Sequence, residues 1–174
     1  MDPKKMAVQN QNEVFVRAAM LEDSEAIARI YNHYVTQTVI TFEEEAISTA
    51  EIDRRIQEVQ LSLNWYVAEL SNDVVGYAYA SRWRKRSAYR FSTEVTAYVA
   101  PDNTGQGIGS RLYDTLLPAL KDLDIHAVMG GIVLPNEASV SFHEKFGFRK
   151  VAHFREVGFK FNQWIDVGFW QCIL

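Results

Sequence analysis

The chain is short of several things, and each shortage closes off a class of protein. It has one cysteine, Cys172, among 174 residues. No internal disulfide is possible, and no cluster of thiols can hold zinc. His33, His126 and His153 show no metal-ligand spacing, so no metal is expected. Long apolar runs are missing. None approaches the roughly 20 residues that cross a bilayer, and Met1-Asp2-Pro3-Lys4-Lys5 lacks the apolar stretch of a signal peptide. The expectation is a soluble cytoplasmic protein with no membrane partner. Positive charge is scarce too: 18 Lys and Arg against 22 Asp and Glu leave a net charge of −4. General nucleic-acid binding therefore has no electrostatic support.

What is present is the material for a core. A hydrophobic content of 48% and an aromatic content of 13% belong to a folded chain of ordinary single-domain length. No repeat or linker divides it. Residues 14–174 read as that domain and the polar residues 1–13 as a flexible tail.

Val14 to Ala18 reads as a first strand, and Glu22 to Val35 as a helix with Ile27, Ile30, Tyr31 and Tyr34 at helical spacing. Ser48-Thr49-Ala50-Glu51 is a capping box opening a second helix with Ile52, Ile56 and Val59 as its stripe. Trp65–Leu70 and Val74–Ala80 are strands joined by the turn Ser71-Asn72-Asp73. A fourth strand, about Phe91–Ala100, leads to a helix over 107–121 that Pro118 should kink or end early. His126–Leu134 is apolar enough for a buried strand. Asn136 is a plausible N-cap for a helix that runs to Phe146 and stops at Gly147. Strands over about Phe148–Val157 and Ile165–Ile173 close the chain. The order is β-α-α-β-β-β-α-β-α-β-β, which implies an α/β fold: a mixed sheet of about seven strands with helices on both faces.

The most informative segment is Ala97–Ser110, AYVAPDNTGQGIGS. A strand, a glycine-rich turn and a helix start follow one another, so unpaired N–H groups and the helix dipole converge on an anion site. No Gly-Lys pair occurs, which excludes the P-loop. The dinucleotide fingerprint needs a glycine where Ser110 stands. Taken alone, the turn could also do no more than start a helix.

The element order and this turn together resemble the Gcn5-related N-acetyltransferase superfamily. Its signature, Arg/Gln-x-x-Gly-x-Gly/Ala, is matched by Thr104-Gly105-Gln106-Gly107-Ile108-Gly109, with Thr104 in place of the usual Arg or Gln. A second block is similar to Asn136-Glu137-Ala138-Ser139 through Phe146-Gly147-Phe148. Tyr31–Val35, Arg86-Ser87-Ala88-Tyr89, Leu134–Val140, His143-Glu144 and Trp164–Gln171 look like the phosphinothricin N-acetyltransferases. That group includes acetyltransferases of methionine sulfoximine and methionine sulfone. The resemblance spans about residues 14–174. It implies the superfamily fold with a mostly antiparallel sheet, acetyl-coenzyme A (acetyl-CoA) as co-substrate, a small amino acid as acceptor, detoxification as the role and a homodimer as the assembly. It also implies that the backbone of Ala97, Tyr98 and Val99 holds the pantetheine arm beside a splayed strand. The pyrophosphate then falls to Gly105, Gln106, Gly107, Ile108, Gly109 and Ser110. Asn136 contacts the cofactor, and Lys145 reaches its adenine or phosphate end. Asn136 also reads as a simple helix cap and Lys145 as a solvated side chain.

Attack of an α-amine on a thioester needs a base to remove the amine's proton. In Ser92–Val99, alternation puts Ser92, Glu94, Thr96 and Tyr98 on one face and Val95, Ala97 and Val99, with Phe91, on the core side. Glu94 is the candidate base, on a strand where partly apolar neighbours should raise its pKa; the plainer reading is a surface carboxylate. Val95 and Thr96 flank it in the acceptor site. Arg82-Trp83-Arg84-Lys85-Arg86 packs four cations into five residues. Such runs are usually solvated, yet an Arg fork can clamp a carboxylate or phosphinate. Arg86 is the expected clamp, with Arg84 assisting and Lys85 nearby. Phe42 falls where relatives line the acceptor pocket. His143 stands where many relatives carry a Tyr that protonates the leaving thiolate, and it reads equally as a structural hydrogen-bond partner. Cys172 lies far along the chain from the motif, so transfer should be direct, in a ternary complex. The alternatives are an enzyme acting on another amine or a peptide N-terminus, and a non-catalytic acetyl-CoA sensor.

Overall fold

The computed structural model describes residues 13–174. The tail expected over residues 1–13 lies, but for Glu13, outside them. The elements run β1 (Phe15–Ala18), α1 (Ser24–Gln37), α2 (Thr49–Gln60), β2 (Trp65–Leu70), β3 (Asp73–Arg82), β4 (Ser92–Val99), α3 (Ile108–Asp122), β5 (Ala127–Leu134), α4 (Glu137–Lys145), β6 (Arg149–Lys160) and β7 (Gln163–Ile173). The seven strands form one sheet in the order β1-β2-β3-β4-β5-β7-β6. Only β4 and β5 pair in parallel; every other neighbour is antiparallel.

Both faces of the sheet are covered, each for a reason visible in the residues. Leu112, Leu116 and Leu120 recur at helical spacing, and all are fully buried against Ala78, Ala80, Val95 and Val128. Burying each contributes about 1.5–3 kcal/mol. On the other face Ile27, Val35, Ile52 and Ile56 bring α1 and α2 onto Val67 and Tyr77. Trp65 stacks on Tyr79 with ring centroids 4.2 Å apart. Ser48 caps α2 as expected, accepting from the Glu51 N–H at 3.2 Å. The Glu51 carboxylate does not reciprocate; it takes Arg54 and Arg55 instead.

Three expectations are corrected. α3 continues through Pro118 to Asp122. Pro118 sits on the exposed side, while Leu116, Leu117 and Leu120 are buried, so the carbonyl it leaves unbonded faces water. Phe91 precedes β4 and is 43% exposed, outside the core face that Val95 occupies. The last two strands are longer than the sequence suggests, meeting at a tight turn in which Phe161 and Asn162 both have positive φ. The register of β6 shifts between Phe154 and Gly158, and that irregularity breaks the alternation from which strand ends are read.

Candidate active site

The site begins with a strand that loses one neighbour. β4 pairs with β3 along its whole length, from Thr93 to Val99. Its pairing with β5 stops at Glu94, opposite Met129. From Met129 to Leu134, β5 stays paired with β7, so β4 and β5 diverge into a wedge. The β4 edge from Val95 to Val99 therefore faces a gap with backbone groups available to an extended ligand, as an open sheet edge is. One of them is taken: the Tyr34 hydroxyl donates to the Val99 carbonyl.

Below the wedge lies a cleft of about 440 Å³ whose walls include Ala97, Tyr98, Val99, Gly105, Gly107 to Ser110, Asn136 and Ser139. Gly105 and Gly107 have φ of +75° and +79°, a conformation that glycine adopts without strain. The first helical bond of α3 runs from the Arg111 N–H to the Gly107 carbonyl, at 3.1 Å. The amides of Ile108, Gly109 and Ser110 precede it and have no acceptor within the helix. A side chain at Gly109 would stand 3.2 Å from the Phe142 ring, so this glycine lets α4 approach α3. Asn136 caps α4, its Oδ1 accepting from the Ser139 N–H at 3.0 Å, and also lines the cleft. Lys145 reaches across to the Ser110 hydroxyl, 3.0 Å away. Gln106 does not line the cleft; its amide turns back to the Asp102 carbonyl. Thr104 returns its hydroxyl to the Pro101 carbonyl at 3.1 Å, bracing the turn from within.

Above the wedge a second cavity, of about 600 Å³, contains Glu94, Val95 and Thr96 of β4, with Arg84, Phe42 and His143. Ile40, Ala97, Tyr98, Ser139 and Phe142 line both spaces. The two therefore meet at the middle of β4. Burial raises the Glu94 carboxyl above its ordinary range, against the pull of the nearby Arg84 cation. Room for the carboxylate comes from Gly131 on β5, where a Cβ would stand 3.0 Å from Glu94 Oε1. Gly130 does the same for the next group. A Cβ there would lie 2.6 Å from His143 Nε2.

His143 is buried, and both of its ring nitrogens have partners inside the protein. Nδ1 lies 2.8 Å from the Ser139 carbonyl, which can only accept, so Nδ1 carries the proton. Nε2 then accepts from the Tyr113 hydroxyl, 3.2 Å away. Burial lowers the imidazole pKa, outweighing the Ser139 contact, and His143 is neutral near pH 7. Burial likewise keeps the Tyr113 hydroxyl protonated, its pKa raised, with the Glu94 charge acting in the same sense.

The basic run is divided. Arg84 enters the Glu94 cavity with its guanidinium 4.5 Å from the centroid of Trp83. Lys85 lines a different cleft, between α2 and the end of β3. Arg84 also lines that cleft; it and Arg86 are both exposed, but Arg86 precedes a short 3₁₀ turn (Ser87–Tyr89) and does not line the Glu94 cavity. Arg84, expected as the assistant, is thus the cation beside Glu94. Sequence reasoning missed Gly130, Gly131, Tyr113 and Lys160. Two adjacent glycines inside an apolar strand were the available signal, because a strand glycine often marks a close approach. Among the described residues there is no group of His, Cys, Asp or Glu that could hold a metal. No helix there is long and apolar enough to cross a membrane.

A splayed parallel pair, a glycine-lined helix start under it and a carboxylate above it define an acyl-transfer fold. The family described as the acetyltransferase (GNAT) domain matches residues 16–168, and the chain belongs to it. It is an N-acetyltransferase of the acyltransferase class. It is 40% identical over 163 residues to a phosphinothricin N-acetyltransferase of Streptomyces coelicolor, covering 91% of this chain and 95% of that one. It is 32% identical to an L-methionine sulfoximine/L-methionine sulfone acetyltransferase of Salmonella typhimurium, over 90% and 92% of the two chains. The crystal structure of a GNAT superfamily phosphinothricin acetyltransferase from Sinorhizobium meliloti, in complex with acetyl-CoA, superposes with a TM-score of 0.90 at 32% identity. That alignment covers 92% of this chain and 88% of that one.

Proposed function

We propose that the protein transfers the acetyl group of acetyl-CoA directly to the α-amine of a small amino acid, with phosphinothricin, methionine sulfoximine and methionine sulfone as the leading acceptors. The observation that carries this is the meeting of the two cavities at Ala97 and Tyr98. An extended thioester arm on the β4 edge would end beside Glu94. The free amides at the start of α3 fit a pyrophosphate, and the β4 edge fits the amides of a pantetheine arm.

In this reading Glu94 takes the proton of the acceptor ammonium, directly or through water. The freed lone pair forms the C–N bond to the acetyl carbon, the C–S bond breaks, and the second proton that the nitrogen then loses passes to the leaving thiolate, directly or through water. A backbone N–H of the open β4 edge supports the negative charge that develops on the carbonyl oxygen. A raised carboxyl pKa suits a base working near neutrality. Arg84 holds the acceptor's anionic group with a guanidinium fork. His143, with both nitrogens engaged, holds the Tyr113 hydroxyl in place, and this geometry supports a structural partner over a proton donor. Cys172 lies on β7, and burial raises its thiol pKa, which favours direct transfer over an acyl-cysteine route. A homodimer is part of the same proposal: Phe154, Val157, Phe159, Phe161 and Trp164 leave an apolar surface on the β6–β7 hairpin, each at least 49% exposed. A kinetic panel of free amino acids with acetyl-CoA, followed by thiol release, tests the reading. Turnover is expected with the three named acceptors, and silence with every free amino acid overturns it.

A further inference from the structure

The wall of the acceptor cavity opposite Glu94 is built by the connection between α1 and α2. Residues 38–48 contain no helix or strand, yet Ile40, Thr41 and Phe42 line the cavity. A loop of that length is ordinarily mobile, and its ordering needs a cause. At its far end Asn32 of α1 exchanges hydrogen bonds with the backbone of Ile47, at 2.9 and 2.8 Å, and Arg55 of α2 pairs with Glu43 at 2.7 Å. These contacts fix the loop near its own helices. They do not explain why its tip stands over the cavity.

The tip is held from across the molecule. Lys160, the last residue of β6, is 2% exposed, and its ammonium donates to the Thr41 carbonyl at 2.8 Å, a contact 119 positions apart in sequence. The Thr41 hydroxyl meets the Tyr31 hydroxyl at 2.7 Å, so this residue is gripped from both sides. Two positions before Lys160, on the same face of the strand, Gly158 leaves room for the Phe42 ring. A Cβ there would collide with Phe42 Cε1 and Cζ. A buried ammonium is costly unless partnered; besides the Thr41 carbonyl it has the charges of Glu43 and Glu44 nearby and the Phe161 ring 5.1 Å away. Ordinary hairpin stability gives no reason for one at this place.

We infer that Lys160 and Gly158 are positioning residues for acceptor specificity: together they seat the Thr41–Phe42 tip over the Glu94 cavity and so set its outer wall. The inference rests on the acetyl-transfer reading for its kinetic consequence alone. The seat lies away from the glycine turn, and of the loop only Ile40 also lines the cleft beside that turn, so the main effect falls on the acceptor.

Lys160→Met, which keeps an unbranched stem one atom shorter and removes the donor, is the first test. Expected is a rise of about tenfold in KM for methionine sulfoximine with KM for acetyl-CoA and kcat within about twofold, the signature of lost uniform binding. Hydrogen exchange should quicken in peptides covering 38–47 and stay unchanged in β3 and β4. Gly158→Ala, which displaces the Phe42 ring without touching the ammonium, should show the same division and serves if the first variant does not fold. An unchanged acceptor KM in the folded variants overturns the inference, as does a parallel rise in KM for both substrates. If the wild type acetylates no free amino acid, the functional reading fails, and loop exchange alone decides the seat. Faster exchange confined to 38–47 supports it; unchanged exchange overturns it.

Discussion

The cleft under the glycine turn and the cavity around Glu94 share Ala97 and Tyr98 as a wall, yet they are assembled from very different stretches of chain. Much of the cleft comes from one continuous run, β4 to the first turn of α3, completed by the start of α4. The cavity draws Phe42 from one loop, Arg84 from the loop after β3, Glu94 from β4, Gly131 from β5 and Val157 from β6. The first is largely a local device, with Tyr34 and Ile40 as its contributors from elsewhere in the chain. The second depends on loops and strands far apart in sequence, so its shape answers to packing across the whole sheet.

The sharpest way to break this contrast is Glu94→Gln. We expect kcat/KM to fall by about 10²- to 10⁴-fold with acetyl-CoA affinity unchanged by calorimetry. In the wild type, kcat/KM should fall on the acid side with a midpoint above the ordinary carboxylate value of 4.5. Stability moves the other way. Because the folded-state pKa is raised, the native protein holds the proton more tightly than the unfolded chain. Stability is therefore lost as pH rises from 4.5 toward the folded value. Glu94→Gln removes that loss, so its thermal midpoint at pH 7.5 should equal or exceed the wild type's.

A smaller effect separates the two arginines. Arg84→Met should raise the acceptor KM about 10- to 150-fold, the loss of a charge-assisted hydrogen bond worth about 1.5–3 kcal/mol. Arg86→Met should change it by no more than about twofold, as surface substitutions do. A larger effect at Arg86 would return the clamp to it and show that the loop rearranges when the acceptor binds. On the other side of the wall, Gly107→Val forces a branched side chain to a φ of +79°. Strain of about 1–2 kcal/mol should lower the thermal midpoint by a few degrees and raise KM for acetyl-CoA several-fold, with the acceptor KM unmoved.

The contrast also explains which parts of the site could be read in advance. Gly105, Gly107 and Asn136 were legible because a turn needing positive φ and a helix needing a cap leave local marks. Glu94 was legible because strand alternation set it apart from Val95. The division between Arg84 and Arg86 was not, since four neighbouring cations carry no sign of which one lines the Glu94 cavity. His143 could be placed on its helix, but its neutral state comes from burial and its tautomer from Ser139 and Tyr113, the latter 30 positions away.

By itself the sequence determined the order of strands and helices, the glycine turn at the start of α3 and the carboxylate on the strand before it. Each follows from short-range periodicity or from the backbone demands of single residues. Tertiary structure alone decided where β4 and β5 part, which arginine faces Glu94, that Gly130 and Gly131 make room for His143 and Glu94, and that Lys160 reaches Thr41. Those are matters of distance between segments remote in the chain, set by how the sheet twists and its helices pack, and no local pattern of residues encodes them.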